Sequence, residues 1–534
     1  MKTKYFKNIL LAGIVAFSVA SCHDDLDQVP PNEITSATVY QDFANYKNVL
    51  AKLYSGYAVT GQQGPAGNPD ITGGDEGFSS YLRQYWQLQE LPTDEAVIGW
   101  GDAGLPDLHE MDWTPNNQFV TAMFSRIYYQ VSLTNEFIRE TTDDKLSSRG
   151  ISGAQAETAR EFRAEARFLR ALSYWHAMDL FGGGVPFVTE EDMVGAFFPE
   201  PISREDLFNY VESELLAIED ELVAAGQNEY GRADQAAAWT LLTKLYLNAE
   251  VYTGNARYTD AVTYAKKVID AGFMLEDEYQ HLFLADNNTA SGIIFPIVFD
   301  GLRTQTYGGM TYLTHAPFGP SMNNLRSRFG IEGGWAGLRT TEALVEKFPD
   351  VTGTIDERAI FHTEGHDLVI DDISPFTEGF AITKYRNITS AGQLGSHSTG
   401  AFPDTDYPMF RLADVYLMYA EAVLRGGSGG DLATAVQLVN QLRERAYDGP
   451  DGNITQSQLT LPFILDERAR ELYWEAHRRT DLIRYGLFTG GEYLWPWKGG
   501  VMEGRAVQDF RVLYPIPSVD VIANPNLVQN PNYR

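Results

Sequence analysis

Two blocks of apolar residues at helical spacing constrain this chain more than any other feature. In the first, 154–271, Phe168, Leu172 and Trp175 recur at a helical interval over 157–181. Glu161, Arg163, Glu165, Arg167 and Arg170 fill the positions between them. The run Gly182-Gly183-Gly184-Val185-Pro186 stops that helix. Ser203 with Asp206 three positions on reads as the cap of a second helix, whose stripe includes Leu207, Val211, Leu215 and Leu222. Two more helices are expected over 234–252 and 258–271. The second block, 406–486, holds helical patterns over 411–424, 431–445 and 462–485. Such helices, joined by short Gly-rich turns, bury their stripes against one another. The predicted fold class is therefore all-α in the main, with tetratricopeptide-like helix pairs; the sequence period is irregular, so the pairing rests on the helices alone.

The segments 61–113 and 274–403 differ in composition. They are rich in Gly, Asn, Thr and Pro, with a few short β-like runs such as 293–299. Segments of this kind form a loop-rich capping region on a rigid scaffold, and binding residues gather on such loops. No linker divides the chain, so 22–534 is expected to form one domain.

The first residues carry Lys2, Lys4 and Lys7, then an apolar run over 9–20, then Val19-Ala20-Ser21-Cys22. This is the layout of a secretory signal, 1–21, ending at a lipobox-like cysteine. The apolar run is too short to span a bilayer, which takes about 20 residues. Cys22 is the one cysteine of 534 residues, so the chain has no disulfide and its thiol reads as a lipid attachment point. His23-Asp24-Asp25-Leu26-Asp27 and Gln28-Val29-Pro30-Pro31 read as a tether, and the acidic tag resembles a lipoprotein surface-export signal. A net charge of −31 excludes nucleic acid as a partner and polybasic attachment to anionic lipid. Lipid at Cys22 is the expected hold on the outer membrane, with the protein facing the cell exterior.

Catalytic motifs are few. Gly426-Gly427-Ser428-Gly429-Gly430 matches a nucleophile elbow in letters only, because a helix rather than a strand precedes it. His362 and His366 are four apart, but Gly365 weakens a helix there, and a solvated loop is expected. A hydrolase needs two carboxylates among aromatics, and Asp75-Glu76 is the thin candidate. No enzyme activity is expected.

Four stretches resemble the SusD/RagB family of Bacteroidetes outer-membrane lipoproteins. They are Arg163-Ala164-Glu165-Ala166-Arg167-Phe168-Leu169-Arg170 running on to Asp179-Leu180-Phe181-Gly182; Phe410-Arg411-Leu412-Ala413-Asp414 with Ala420-Glu421-Ala422; Glu467-Arg468-Ala469-Arg470-Glu471-Leu472 with Arg478-Arg479-Thr480-Asp481-Leu482-Ile483-Arg484; and Tyr514-Pro515-Ile516-Pro517 with Asn524-Pro525. Glu90-Leu91-Pro92-Thr93-Asp94-Glu95 and Tyr307-Gly308-Gly309 resemble the starch-binding members of the family. The resemblance implies a non-catalytic surface protein that binds starch or malto-oligosaccharide and delivers it to a SusC-type TonB-dependent transporter. By position it implies carbohydrate contacts at Asp75, Arg83, Trp100, Tyr307 and Trp335.

Two positions depart from that pattern. Ile98 stands where a second Trp is expected, leaving an apolar wall without a flat ring, and Ala103 replaces a contacting Asn. No cofactor is expected; the stretch that the resemblance offers for calcium, Asp286-Asn287-Asn288, is short. The chemistry suits a glycan: rings cover the C–H faces of a pyranose, Asp accepts from hydroxyls and Arg donates in a planar fork. A different glycan, a transporter-assembly adaptor without a sugar site, and a hydrolase are the alternatives.

Overall fold

The computed structural model describes residues 36–61, 64, 65, 69–71, 75, 77–192, 195 and 197–533. The signal segment, Cys22, the tether and Glu76 lie outside the described residues. The chain divides into two compact units, Met1–Tyr46 and Lys47–Arg534. In the first, helix Ser36–Val39 leads to Tyr40, whose ring meets Tyr46 edge-on at 5.1 Å.

The second unit is mainly α, as the two helical blocks imply. Helix Gln118–Glu140 packs on Ala154–Phe181, which packs on Arg204–Ile218. Gln235–Leu247 packs on Tyr258–Ile269, and that helix on Leu412–Leu424. Leu412–Leu424 in turn carries Leu432–Ala446 and Leu461–Leu472. Caps open these helices as the residue types dictate. Ser203 Oγ accepts from Asp206 N at 3.0 Å, and Asp431 accepts from Thr434 N at 2.8 Å, each cap contributing about 1 kcal/mol. Leu207, Val211 and Leu215 are buried, so the stripe faces the core as its spacing requires, while Leu222, expected in the same stripe, is buried beyond the helix end at Ile218. The Gly-rich run before Asp431 is a helix–helix connection.

Four departures from the sequence reading have physical causes. Helix Gln118–Glu140 lies outside both expected blocks, opened by Asn117, whose side chain accepts from Phe119 N and Val120 N. The pattern over 234–252 breaks after Leu247, and Ala249–Thr253 forms a separate short helix. The pattern over 462–485 also breaks, into Leu461–Leu472 and Arg478–Arg484. Between those two, Trp474 and Ala476 both adopt φ of 62°. Tertiary bonds hold that left-handed turn: Trp474 N donates to Glu95 at 3.0 Å, Trp474 Nε1 to Glu95 O at 2.9 Å, and Trp86 Nε1 to Trp474 O at 2.9 Å. Finally, His362 and His366 are not solvated. Both are buried, with His366 bonded to Ser321 Oγ and Gly379 O at 2.9 Å each.

A lattice of buried ion pairs runs through the second helical block. Arg358 meets Asp356, Glu467 and Glu471 at 2.7, 2.8 and 3.1 Å. Arg411 meets Glu471 and Glu475 at 2.6 Å each. Arg468 joins Asp414 to Asp481, and Arg484 joins Glu421 to Asp481. Most charged letters of the Phe410–Glu421 and Glu467–Arg484 signatures belong to these pairs, and Arg470, Arg478 and Arg479 pair with Glu467, Asp94 and Asp179, so those signatures are structural. Each charge is desolvated, and only full pairing makes that tolerable.

Among the described residues strands occur as two-stranded pairs. Ile293–Ile297 pairs with Tyr407–Arg411. Val97–Ile98 pairs antiparallel with Leu338–Arg339, placing Val97 opposite Arg339 and Ile98 opposite Leu338.

Candidate functional site

The small Val97–Ile98 pair gathers the site. Gly99 N donates to Gly337 O at 3.0 Å, extending the pairing by one step beyond the strands. Trp100 and Trp335, on either side of that step, are thereby forced together. Their ring centroids lie 6.3 Å apart with planes inclined at 44°, and Trp100 Nε1 donates to Trp335 O at 3.3 Å. Gly337 supports the Trp100 indole: a Cβ there would stand 2.4 Å from its ring. The other end of the pair is anchored in the ionic lattice. Arg478 binds Asp94 at 2.7 Å and, outweighing burial, holds its carboxyl below the usual range.

A second anchor is helix Gly309–His315. Its last carbonyl, His315 O, accepts from Trp335 N at 2.8 Å, and the two rings lie 5.2 Å apart. The His315 Nδ1 bonds Thr311 O at 2.9 Å, and burial draws its pKa down to about 4, so the ring stays neutral. Tyr312 of the same helix meets Trp100 edge-on at 6.0 Å. Ala336, between Trp335 and Gly337, sits at φ 52°, a strained conformation for a residue with a Cβ.

Arg83 is placed by helix Tyr81–Glu90, which lies inside the segment expected to be loop-rich. Ser80 caps this helix and also accepts from Gly309 N at 3.0 Å, tying its start to the Tyr307-Gly308-Gly309 turn. Gly309, at φ 51°, admits no side chain there: its Cβ would meet Phe299 at 2.5 Å. Arg83 is only 9% exposed, with its guanidinium 4.3 Å from the Tyr312 ring and 5.9 Å from Trp100. Its Nη1 donates to Gly77 O at 3.0 Å and to Tyr307 O at 3.5 Å, while Nε has no protein partner. Burial lowers its pKa, opposed by Tyr312, Asp102 and Asp75. Asp75 is exposed and turns the chain, accepting from Gly77 N at 2.7 Å and Phe78 N at 3.2 Å.

All five residues singled out in the sequence fall in one patch. Trp100 and Trp335 are half-buried, Tyr307 is 40% exposed beside Phe402, and Arg83 links them to the Asp75 turn. Tyr312 and His315, which support the rings from beneath, were not singled out; their three-residue spacing on one short helix is the signal that locates them. Ile98 is 1% exposed, so it belongs to the core and supplies no wall to the patch, contrary to expectation. Ala103 is exposed and offers its carbonyl, which accepts from Gln118. Asp286 is bound to Ser390 through N and Oγ at 2.8 and 2.7 Å, and Asn287 is buried against Asp406. The described acidic group with metal-ligand geometry is elsewhere, at Asp107, Glu110 and Asp112. A cavity of about 640 Å³ beside Tyr128 and Phe197 shares no residue with the patch, which is an open surface.

Half-exposed rings held on a helix-pair frame, beside a carboxylate and a guanidinium, make a preorganised binding surface. The starch-binding protein SusD of Bacteroides thetaiotaomicron is 37% identical over 587 aligned residues, covering 100% of both chains. The model described as SusD family matches residues 371–533. A SusD superfamily protein of B. thetaiotaomicron superposes with a TM-score of 0.69 at 19% identity, over 92% of this chain and 100% of its own. Surface glycan-binding protein A from Bacteroides fluxus gives 0.69 at 20%, over 92% and 99%. The chain belongs to the SusD family.

Proposed function

We propose that this protein holds starch or malto-oligosaccharide at the cell surface through Trp100, Tyr307 and Trp335, with Asp75 and Arg83 orienting the sugar. The observation that carries this reading is the inclination of Trp100 to Trp335, 44° at 6.3 Å. Two inclined rings follow a curved α-glucan, whereas a flat β-glucan needs coplanar platforms. The 37% identity to a starch-binding protein supports the same ligand. Lipid on Cys22 anchors the chain to the outer membrane, facing outward, and bound glycan passes to a SusC-type TonB-dependent transporter. Among the described residues no helix is long and apolar enough to cross a membrane. A shallow site of this kind is expected to bind with a Kd between about 10 μM and a few mM, or about −7 to −4 kcal/mol. Many repeats on one polymer raise the effective affinity, and modest strength at each site permits release. Calcium has no part in this reading.

Affinity electrophoresis of the soluble chain, begun at residue 28, tests the ligand. Gels containing amylopectin or pullulan should retard it, and gels containing dextran or a β-glucan should not. The Trp100→Ala/Trp335→Ala variant should run unretarded with its circular dichroism unchanged. Equal retention of that variant in amylopectin would remove these rings from the site. Retardation only by another polymer would keep the mechanism and change the glycan, and retardation by none would favour a transporter-assembly adaptor.

A further inference from the structure

A second cavity, about 550 Å³, opens in the loop-rich region away from the aromatic patch. Its wall carries Arg328, Phe329, Glu357, His362, Thr383 and Arg386. The two guanidinium groups flank one ring: Arg328 lies 4.9 Å and Arg386 5.6 Å from the Phe329 centroid. Neither has a carboxylate within 4.0 Å among the described residues. Arg386 is held by Thr383 alone, donating from Nε to Thr383 O at 2.8 Å and from Nη2 to Thr383 Oγ1 at 3.2 Å. His362 is 6% exposed, and its buried Nε2 has no hydrogen-bond partner.

This arrangement departs from the rest of the chain. Most buried arginines of this chain are matched by carboxylates, as in the lattice of the second helical block, and the chain has an excess of 31 negative charges to draw on. Here Arg328 is exposed and Arg386 half-buried, and among the described residues neither has a carboxylate partner. Burial lowers the Arg386 pKa to about 10, opposed by Tyr473 and reinforced by Arg328. Burial, His366 and Arg328 likewise lower that of His362. Glu357 is the one carboxylate on the wall. Burial and its acidic neighbours Glu278, Asp448 and Asp356 raise its pKa, and the cation that opposes them is Arg445, so Glu357 does not neutralise the pair.

We infer that this cavity binds a sugar bearing a phosphate or sulfate ester, its oxyanion held by Arg328 and Arg386. Planar guanidinium groups pair with oxyanions through two parallel bonds. The volume falls in the range of small-molecule sites, about 300–1,000 Å³, which exceeds what a bare anion fills. The site is independent of the aromatic patch and of the polymer that patch holds.

Isothermal titration with glucose 6-phosphate, inorganic phosphate and glucose tests the proposal on the soluble chain. Glucose 6-phosphate should bind saturably at millimolar concentration and more tightly than inorganic phosphate; glucose should give no heat from this site. Arg328→Gln, at an exposed position and therefore compatible with folding, should weaken binding about tenfold, as should Arg386→Gln. Retention of both variants in amylopectin gels should match that of the unsubstituted chain. Absence of saturable binding to about 20 mM glucose 6-phosphate, or an affinity in both variants unchanged from that of the unsubstituted chain, would overturn the site. Equal affinity for inorganic phosphate and glucose 6-phosphate would overturn the assignment to a sugar-borne anion.

Discussion

The working unit at the residue scale is a contact between a ring and a missing side chain. Trp100 rests where a Cβ on Gly337 would stand, 2.4 Å from its Cε2. That distance is far inside van der Waals contact, and the obstacle is a ring wedged between Tyr312 and Trp335 rather than a flexible tip. Gly337→Ala should therefore push the Trp100 indole outward, break its bond to Trp335 O and open the angle between the two rings. Overpacking of this kind costs about 1–3 kcal/mol. The expected outcome is a modest fall in the thermal midpoint with most amylopectin retention lost and a shifted tryptophan emission maximum. Full retention in the gel would show that ring placement does not govern binding. Arg83 follows the same logic. Its guanidinium is pinned to Tyr312 and two carbonyls, so it acts as a fixed donor rather than a side chain that searches.

Elements are positioned by buried charge as much as by apolar stripes. Glu471, on helix Leu461–Leu472, accepts from Arg358, Arg411 and Arg445 at 3.1, 2.6 and 2.6 Å. Replacing it by Gln leaves three desolvated guanidinium groups short of a counter-charge, and removing one partner of a buried pair costs about 3–5 kcal/mol. Glu471→Gln should lower the denaturant midpoint accordingly with an unchanged slope; a loss under about 1 kcal/mol would mean that water reaches the lattice. The main helices of the two blocks were legible because their stripes and caps are local. Helix Tyr81–Glu90 was not, since every one of its residues is buried and Gln87, Gln89 and Glu90 break the stripe with polar groups that find partners far along the chain. The turn at Trp474 was hidden for the same reason: Glu95, 379 positions away, holds it. The five site residues were found by resemblance at matched positions. Composition would not have separated Trp100 from Trp113, which is buried. Ile98 lies within the strand pair with Leu338–Arg339 and is buried, whereas Trp100 lies past its end and is half-buried, a difference set by tertiary pairing.

On the scale of the whole molecule, stability against pH is set by two opposed sets of buried groups. Burial draws His109 and His315 to about 4 and His176 to about 3, each below the ordinary value near 6.5. The unfolded chain therefore takes up protons that the folded chain refuses, and stability is lost as pH falls from about 6.5 to 4. Asp406 works the other way. It is buried, accepts from Phe299 N and Tyr230 OH at 2.7 Å each, and burial raises its pKa to about 7. Between pH 7 and about 3.9 the folded chain holds a proton that the unfolded chain has released, so stability is gained as pH falls. Glu90 and Glu95, buried beside each other, are raised by burial and add to this gain. The two sets offset one another, and a near-level plateau is expected between pH 7 and 4.5. Below it the lattice carboxylates take over: Arg484 and Arg425 hold Glu421 at about 2, and Arg445, Arg411 and Arg358 hold Glu471 at about 2, against burial in both cases. Their contribution is complete above about 4.3 and is lost as pH falls through 2, giving a steep acid limb. Asp406→Asn removes one member of the offsetting set. Calorimetry of that variant should show a midpoint that falls from pH 7 to pH 5 relative to the unsubstituted chain, exposing the cost of the buried imidazoles. An identical difference between the two proteins at both pH values would mean that Asp406 ionises in the folded state as it does in the unfolded one, and that its burial is compensated by its two hydrogen bonds.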